Sequence, residues 1–289
     1  MQNITTTDFD NIIKLVTQYT GIVPRDSHKE GIKRYVENRI ATLDKGKGSF
    51  NYYSYLLANQ QEIVDLVNSS TVNETYFFRE QAQFALLKNK LLPELSRTNI
   101  PVKIWSAACS SGEEAYSLLL LAKALKIKVE LSASDINTEC LETCKKGEYK
   151  ARSLRTVDGA AFSSLLEPYK KQDGSFTFPS ELSREIKLQK LNLADMAYSL
   201  SDTSSSFQVA LPRGQHIVFI RNVFIYFSRE VRSRILKFIA TNCMAPNSYL
   251  FVSMNEIPAW DALIIPSELK KVSHGNVFYF QKQGGGAFL

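Results

Sequence analysis

Apolar residues recur at helical spacing in the first part of the chain: Phe9, Ile12, Ile13, Val16 and Tyr19, then, after Pro24, Ile32, Tyr35, Val36, Ile40 and Leu43. The pattern continues through residues 50–57 and 62–67, so residues 1–72 are expected to form an all-α N-terminal domain. Beyond them the rhythm changes. Val102, Ile104 and Trp105 mark a strand, followed by a helix to Leu125, a strand from Val129 to Ala133 and a helix from Thr138 to Lys146. Strand and helix in alternation predict an α/β domain with a parallel, doubly wound sheet and right-handed crossovers. After Arg155 the alternation stops. Phe176, Phe178, Ile186, Leu188 and Leu191 show strand-like spacing around a turn at Asp173-Gly174, which predicts a small antiparallel β insertion at about residues 170–191. Ser199 to Ser206 is serine-rich and reads as a loop. The α/β rhythm returns with a strand at Ile217–Ile220, a helix from Arg229 to Thr241, and strands at Tyr249–Val252 and Val277–Phe280. The main domain is therefore expected over residues 73–283, with 284–289 as a flexible tail.

One junction carries chemistry. The first strand runs through Trp105 into Ser106-Ala107-Ala108-Cys109-Ser110-Ser111-Gly112, and Glu113-Glu114 open the next helix. Ala107 to Gly112 carry almost no side chain, so backbone N–H groups can approach a bound molecule closely. Acids at a helix start stabilise it but repel a pyrophosphate. The turn therefore suits a nucleoside without phosphates, carrying hydroxyls or positive charge, and S-adenosylmethionine fits that description. Other polar clusters follow predicted strands, where open α/β sheets collect ligands. Ser134-Asp135 lies 23 residues beyond Gly112, close to the spacing at which an acid meets a ribose diol. Asn192-Leu193 and Arg221-Asn222 follow later strands, with Tyr226 one helical turn beyond the latter. Upstream, Asn73-Glu74-Thr75-Tyr76-Phe77-Phe78-Arg79-Glu80 offers aromatics able to wall an adenine or sulfonium pocket and an arginine suited to a methionine carboxylate. Adjacent residues of an extended segment point to opposite sides, so one of Phe77 and Phe78 is expected in the core.

Composition excludes several classes. The 289 residues are 44% hydrophobic and 22% charged, ordinary for a globular protein. Four cysteines form no CxxC pair and three histidines are scattered, so no metal site or disulfide framework is expected, and Cys140 and Cys144 read as core thiols. A net charge of +6 with interleaved signs does not call for nucleic acid. Asp8 and Asp10 precede any apolar run and the most apolar helix is interrupted by Lys123, so neither a leader nor membrane insertion is expected, and the protein reads as cytoplasmic.

Thr75–Glu80, Trp105–Glu114, Ala133-Ser134-Asp135-Ile136 and Arg221–Phe227 stand in the order found in the CheR family of chemotaxis methyltransferases, and the chain resembles that family over roughly residues 8 to 282. The resemblance implies a Rossmann-like S-adenosylmethionine-dependent methyltransferase domain behind the all-α N-terminal domain. It implies transfer of methyl from S-adenosylmethionine to glutamates of chemotaxis receptors, leaving methyl esters and S-adenosylhomocysteine, without a metal. It also implies cofactor contacts from Asn73, Thr75, Arg79, Glu114, Asp135, Asn192, Leu193, Arg221 and Asn222, joined to Ala107 and Gly112 of the turn, with Arg79 and Tyr226 facing the transferred methyl. Arg79 is open to either role. The implied partner is the cytoplasmic helical domain of the receptors, met by a monomer. Lys29, Lys33, Arg34 and Arg39 either dock that partner or form a solvated face.

Departures from the family pattern are local. Ala115 replaces a proline, His216 an aspartate, and Met254-Asn255 stand where glycine, histidine and serine usually precede the glutamate here numbered Glu256. The last two are expected to bear on the acceptor side. The insertion is short and lacks Gly-x-Gly, so independence of a receptor C-terminal pentapeptide tether is expected. Residue by residue, plainer readings stand beside these: first-turn acids for Glu113 and Glu114, a turn residue for Asp135, a packed tyrosine for Tyr226. An alternative function is a CheR-like regulatory or scaffolding module that binds S-adenosylmethionine or its product without turnover.

Overall fold

A computed structural model of the chain describes residues 4–44, 50–155, 162–199, 210–256 and 264–284. The serine-rich stretch beyond Ser199 and the tail beyond Gly284 lie outside them. The chain divides into two compact units, Met1–Val72 with Tyr226–Ser228, and Asn73–Ile225 with Arg229–Leu289.

The first unit is helical: α1 (Thr6–Thr20), α2 (Asp26–Leu43), α3 (Tyr52–Ala58) and α4 (Gln60–Ser70). The sequence supplies the boundaries. Thr5 caps α1 by accepting the Asp8 N–H at 3.1 Å, and Gly21, at φ 70°, ends it in the left-handed region. Ile12, Val16, Ile32, Val36, Ile40, Leu56 and Leu66 form the core. Under it lies a polar triad. Glu62, only 4% exposed, accepts a bidentate pair from Arg39 at 2.8 and 2.7 Å and the Tyr52 hydroxyl at 2.7 Å. Of the four bases singled out on α2, Arg39 is thus engaged internally, while Lys29 and Lys33 pair with Asp26 and Glu37 on the same helix.

The second unit opens with a helical run, α5 (Gln81–Leu86), a π turn at Leu87–Leu91 and α6 (Leu92–Ser96). The Rossmann-like alternation follows as β1 (Val102–Ala107), α7 (Glu113–Ala124), β2 (Val129–Asp135), α8 (Thr138–Lys146), β3 (Glu148–Tyr149), β4 (Phe176–Thr177), α9 (Ser180–Arg184), β5 (Ile186–Lys190), α10 (Leu193–Ser199), β6 (Gln215–Ile220), α11 (Arg229–Asn242), β7 (Met244–Phe251), β8 (Leu269–His274) and β9 (Val277–Lys282). Seven strands form one sheet in the order β5-β2-β1-β6-β7-β9-β8. β5 through β7 pair parallel, and β9 runs against both its neighbours. Central parallel strands are covered on both faces and therefore read as apolar runs. β1 obeys this, with Ile104 and Trp105 fully buried, each worth about 1.5–3 kcal/mol of hydrophobic stabilisation if treated as a large core side chain. Among the described residues no helix is long and apolar enough to cross a membrane.

The small antiparallel sheet is present but drawn differently from the expectation. Phe176–Thr177 pairs with Glu148–Tyr149, next to a tight turn in which the Gly174 N–H donates to Lys171. Ile186–Lys190 instead joins the main sheet, parallel to β2. Its alternating sequence comes from side chains that point in turn to opposite faces of the main sheet, at whose edge it lies, and not from a hairpin.

Candidate active site

Strand order places the site. From β1 the chain moves outward through β2 to β5, then returns to the other side of β1 to lay β6 and β7. The crevice of such a sheet lies at the carboxyl ends where this reversal occurs, beyond Ala107 and Ile220. There the small-residue turn takes a costly backbone path. Ala108 and Ser110 have φ of 60° and 50°, each costing on the order of 1–2 kcal/mol for a residue with a Cβ. The Cys109 N–H donates to Ser134 O at 2.9 Å, the Ser110 N–H to Asp135 Oδ2 at 2.8 Å, and the Tyr149 hydroxyl to Ser111 O at 2.7 Å. Gly112 is required by space as well as by its φ of 95°, because a Cβ there would stand 2.1 Å from Cys144 Sγ. All four cysteines are buried and free.

Asp135 is the hinge between strand ends. Its Oδ2 takes the Ser110 N–H, its Oδ1 the Asn137 N–H at 2.9 Å, and its backbone carbonyl the Leu191 N–H at 3.0 Å. Burial pushes its carboxyl above the ordinary range, and the backbone N–H groups pull against that shift. Each carboxylate oxygen has acceptor capacity beyond the one N–H it holds, which fits a vicinal diol.

Glu114 and Arg221 form the central pair. Arg221 Nε donates to Glu114 Oε2 at 2.7 Å, and Glu114 Oε1 accepts the Ser106 hydroxyl at 2.6 Å. Arg221 Nη1 donates to the Arg79 carbonyl at 2.8 Å and to Gln83 Oε1 at 3.0 Å, while the guanidinium lies over the Phe84 and Phe219 rings. Arg79 itself donates to Glu74 O at 2.8 Å and stacks over Tyr76, and Ser110 Oγ donates to Asn73 O at 3.3 Å. Asn73 and Thr75 line a cleft of about 410 Å³ together with Ser111, Glu113 and Ser153. Glu113 is buried, accepts the Ser111 and Ser153 hydroxyls at 2.7 and 2.9 Å, and has its carboxyl pushed up by burial.

Asn192 caps the start of α10, accepting the Ala194 N–H at 3.1 Å and donating to Asp195 at 2.9 Å, with Leu193 buried beside it. Asn222, at φ 57°, donates its N–H to Glu256 Oε2 at 2.7 Å. The expected cofactor residues all fall in the second unit, and hydrogen bonds tie the segment at Asn73–Arg79, the turn and the ends of β2 and β6 into one network. Tyr226 falls in the first unit, where its carbonyl accepts the Val23 N–H at 2.9 Å and its ring lies 6.4 Å from that of His28.

Two expectations need correction. Phe77 and Phe78 do point apart, but both enter the core: Phe77 among Tyr149, Phe176 and Phe178, Phe78 between Phe84 and Phe162. Neither walls a ligand pocket, because the second unit offers an aromatic cluster on each side. His216 is remote from the acceptor side. It lies at the amino end of β6, where its Nδ1 accepts the Lys103 N–H at 2.9 Å from neighbouring β1. Ala115 is fully buried in the first turn of α7 and disturbs nothing. Gln83, Ser106 and Glu256 join the network without being expected as contacts; Ser106 and Glu256 stand at or after strand ends, a positional signal that Gln83 lacks. Among the described residues no group of three or more His, Cys, Asp or Glu is arranged to hold a metal ion.

Residues 73–260 match the model of the CheR methyltransferase, SAM binding domain. A chemotaxis protein methyltransferase of Borreliella burgdorferi is 29% identical over 271 residues, spanning 88% of this chain and 89% of that one. Another, from Vibrio parahaemolyticus, is 32% identical over 212 residues, 68% of this chain and 70% of that one. Among solved structures, an O-methyltransferase family protein from Burkholderia thailandensis aligns with 90% of this chain and 71% of that one at 12% identity and a TM-score of 0.38. With a family model covering most of its length and a relative matching across 88% of it, this chain belongs to the CheR methyltransferase family, with a domain that binds S-adenosylmethionine.

Proposed function

We propose that the protein methylates glutamate side chains of chemotaxis receptors, using S-adenosylmethionine and leaving glutamyl methyl esters and S-adenosylhomocysteine. The observation that carries this reading is the hydrogen-bonded network at the carboxyl edge of the sheet, which joins the turn, Asp135, Glu114, Arg221 and the Asn73–Arg79 segment. When bound, S-adenosylmethionine supplies an activated methyl group. Asp135 would hold its ribose hydroxyls, and the backbone of Ala107 to Gly112 would lie against it. Asn73, Thr75, Asn192, Leu193 and Asn222 complete the contacts. Arg79 keeps donors beyond the one used on Glu74 and suits either the methionine carboxylate or the acceptor carboxylate. Glu114 acts by fixing Arg221.

No general base is required, because a glutamate is already ionised near neutral pH. The chain contributes orientation and exclusion of water, with Tyr226 positioning the acceptor. The partner is the cytoplasmic helical domain of the receptors, met by a cytoplasmic monomer. The antiparallel pair of β3 and β4 is two residues long in each strand, which favours recognition without a pentapeptide tether. Residues 1–72 and 73–283 are proposed as the N-terminal and catalytic domains, with no metal.

Calorimetric titration with S-adenosylhomocysteine, followed by transfer of radiolabelled methyl to receptor-containing membranes, tests the reading. Binding together with base-labile label on receptors is expected. Binding without transfer, or label in base-stable linkages, would overturn it.

A further inference from the structure

The segment leaving β6 bends sharply at Asn222, whose φ of 57° lies in the left-handed region. Beyond Ile220 the sheet offers this segment no ladder, so its N–H groups need other acceptors. One side chain supplies them. Glu256 Oε2 accepts the Asn222 N–H at 2.7 Å and the Ser253 N–H at 3.1 Å, so one oxygen bridges the segment after β6 and the end of β7. The Glu256 N–H donates back to Ser253 O at 3.1 Å, closing the turn after β7. The residue is 4% exposed, and its other oxygen, Oε1, is buried with no hydrogen-bond partner among the described residues.

A buried carboxylate is costly, and a core position would normally take an apolar side chain. The donors around Glu256 identify what the acid does. We infer that Glu256 is a positioning residue for methyl transfer: its carboxylate clamps the backbone at Asn222 to the end of β7 at Ser253 and so fixes the turn that delivers Arg221 and Asn222. The inference rests on the proposed reading of Arg221 and Asn222 as cofactor contacts. Two simpler roles make different demands. A packing role needs only volume, and an electrostatic role needs the negative charge. The clamp needs an acceptor oxygen, and since no described residue bonds to Oε1, an amide can place its oxygen on the two N–H groups and its nitrogen on the other side.

The test compares Glu256→Gln with Glu256→Leu, with kcat expressed per S-adenosylhomocysteine-binding site so that loss of folded protein does not count. Glu256→Gln is expected to keep kcat within threefold of the parent. Glu256→Leu is expected to lose tenfold or more in kcat, with KM for the receptor changed less than threefold. If the leucine variant does not fold, Glu256→Asp, which withdraws the acceptor by one methylene, takes its place with the same expected loss. Equal activity of the leucine and glutamine variants overturns the clamp in favour of packing, and a glutamine variant as slow as the leucine one overturns it in favour of charge. Should the parent transfer no methyl, the proposed function fails by itself, and hydrogen exchange still decides the clamp. The Asn222 and Ser253 amides are expected to be protected in the parent and in Glu256→Gln and to exchange fast in Glu256→Leu or Glu256→Asp; equal exchange in all overturns it.

Discussion

Removing Arg221 gives the strongest expected effect on the second unit. Its side chain is 2% exposed and that of its partner Glu114 12% exposed, so the pair is screened little by solvent. Arg221→Met keeps the length and apolar bulk but removes the bonds to Glu114, the Arg79 carbonyl and Gln83, leaving the Glu114 carboxylate with Ser106 alone. Stranding one member of a buried pair costs about 3–5 kcal/mol. At roughly 2–4 °C per kcal/mol for a large chain, this predicts a fall in Tm of about 6–20 °C. Thermal unfolding followed by tryptophan fluorescence, to which Trp105 in β1 contributes, measures the fall, and urea unfolding the change in free energy. Arg221 also stands 3.8 Å from Glu80, so the double variant Glu114→Gln with Arg221→Met removes the nearer of two stranded carboxylates and should lose less than the sum of the two single variants, by about 0.5–3 kcal/mol. A loss under about 1 kcal/mol for Arg221→Met, or strictly additive single effects, would refute the view that this pair organises the edge of the sheet.

Asp135→Ala is expected to weaken binding of S-adenosylhomocysteine by about 1.5–3 kcal/mol, the strength of hydrogen bonds to a charged group, as read by calorimetry. Unchanged affinity would remove Asp135 from the ribose site. Tyr226→Phe should slow turnover with little change in cofactor affinity, and a loss confined to affinity would assign the hydroxyl to the cofactor. In the first unit, the bidentate bond from Arg39 holds the Glu62 carboxyl below the ordinary carboxylate range, against the opposing effect of burial. A lowered folded pKa contributes stability that is present above the unfolded value of about 4.3 and is lost as pH falls through the folded value. Unfolding measured between neutral pH and the acid range should therefore show this stability declining below about pH 4.3, and Glu62→Gln should flatten that part of the profile.

Local pattern was enough to read much of the architecture. Helical spacing marked α1 and α2, the apolar run at Val102 and the small residues after it marked β1 and its turn, and α8 was legible from Thr138 to Lys146. The helices were readable because their burial repeats with the period of their own backbone, and β1 because a strand covered on both faces is a continuous apolar run. β8 was not, since Leu269 is its one fully buried residue, and neither was the placement of β5, whose neighbour β2 lies far away in sequence. Composition and position also marked Asp135 and Arg221 as residues at strand ends.

Partners were decided by the tertiary structure alone. Nothing near Arg221 in sequence announces Glu114, Gln83 or the Arg79 carbonyl, and nothing near Asn222 announces Glu256. Sheet order brought these groups together, and burial then made each polar atom find an acceptor or a donor across the fold. Residue type and spacing say which chemistry a chain can carry, because they govern local backbone and side-chain character. Which oxygen faces which N–H is settled only when distant segments are packed into a space that excludes water.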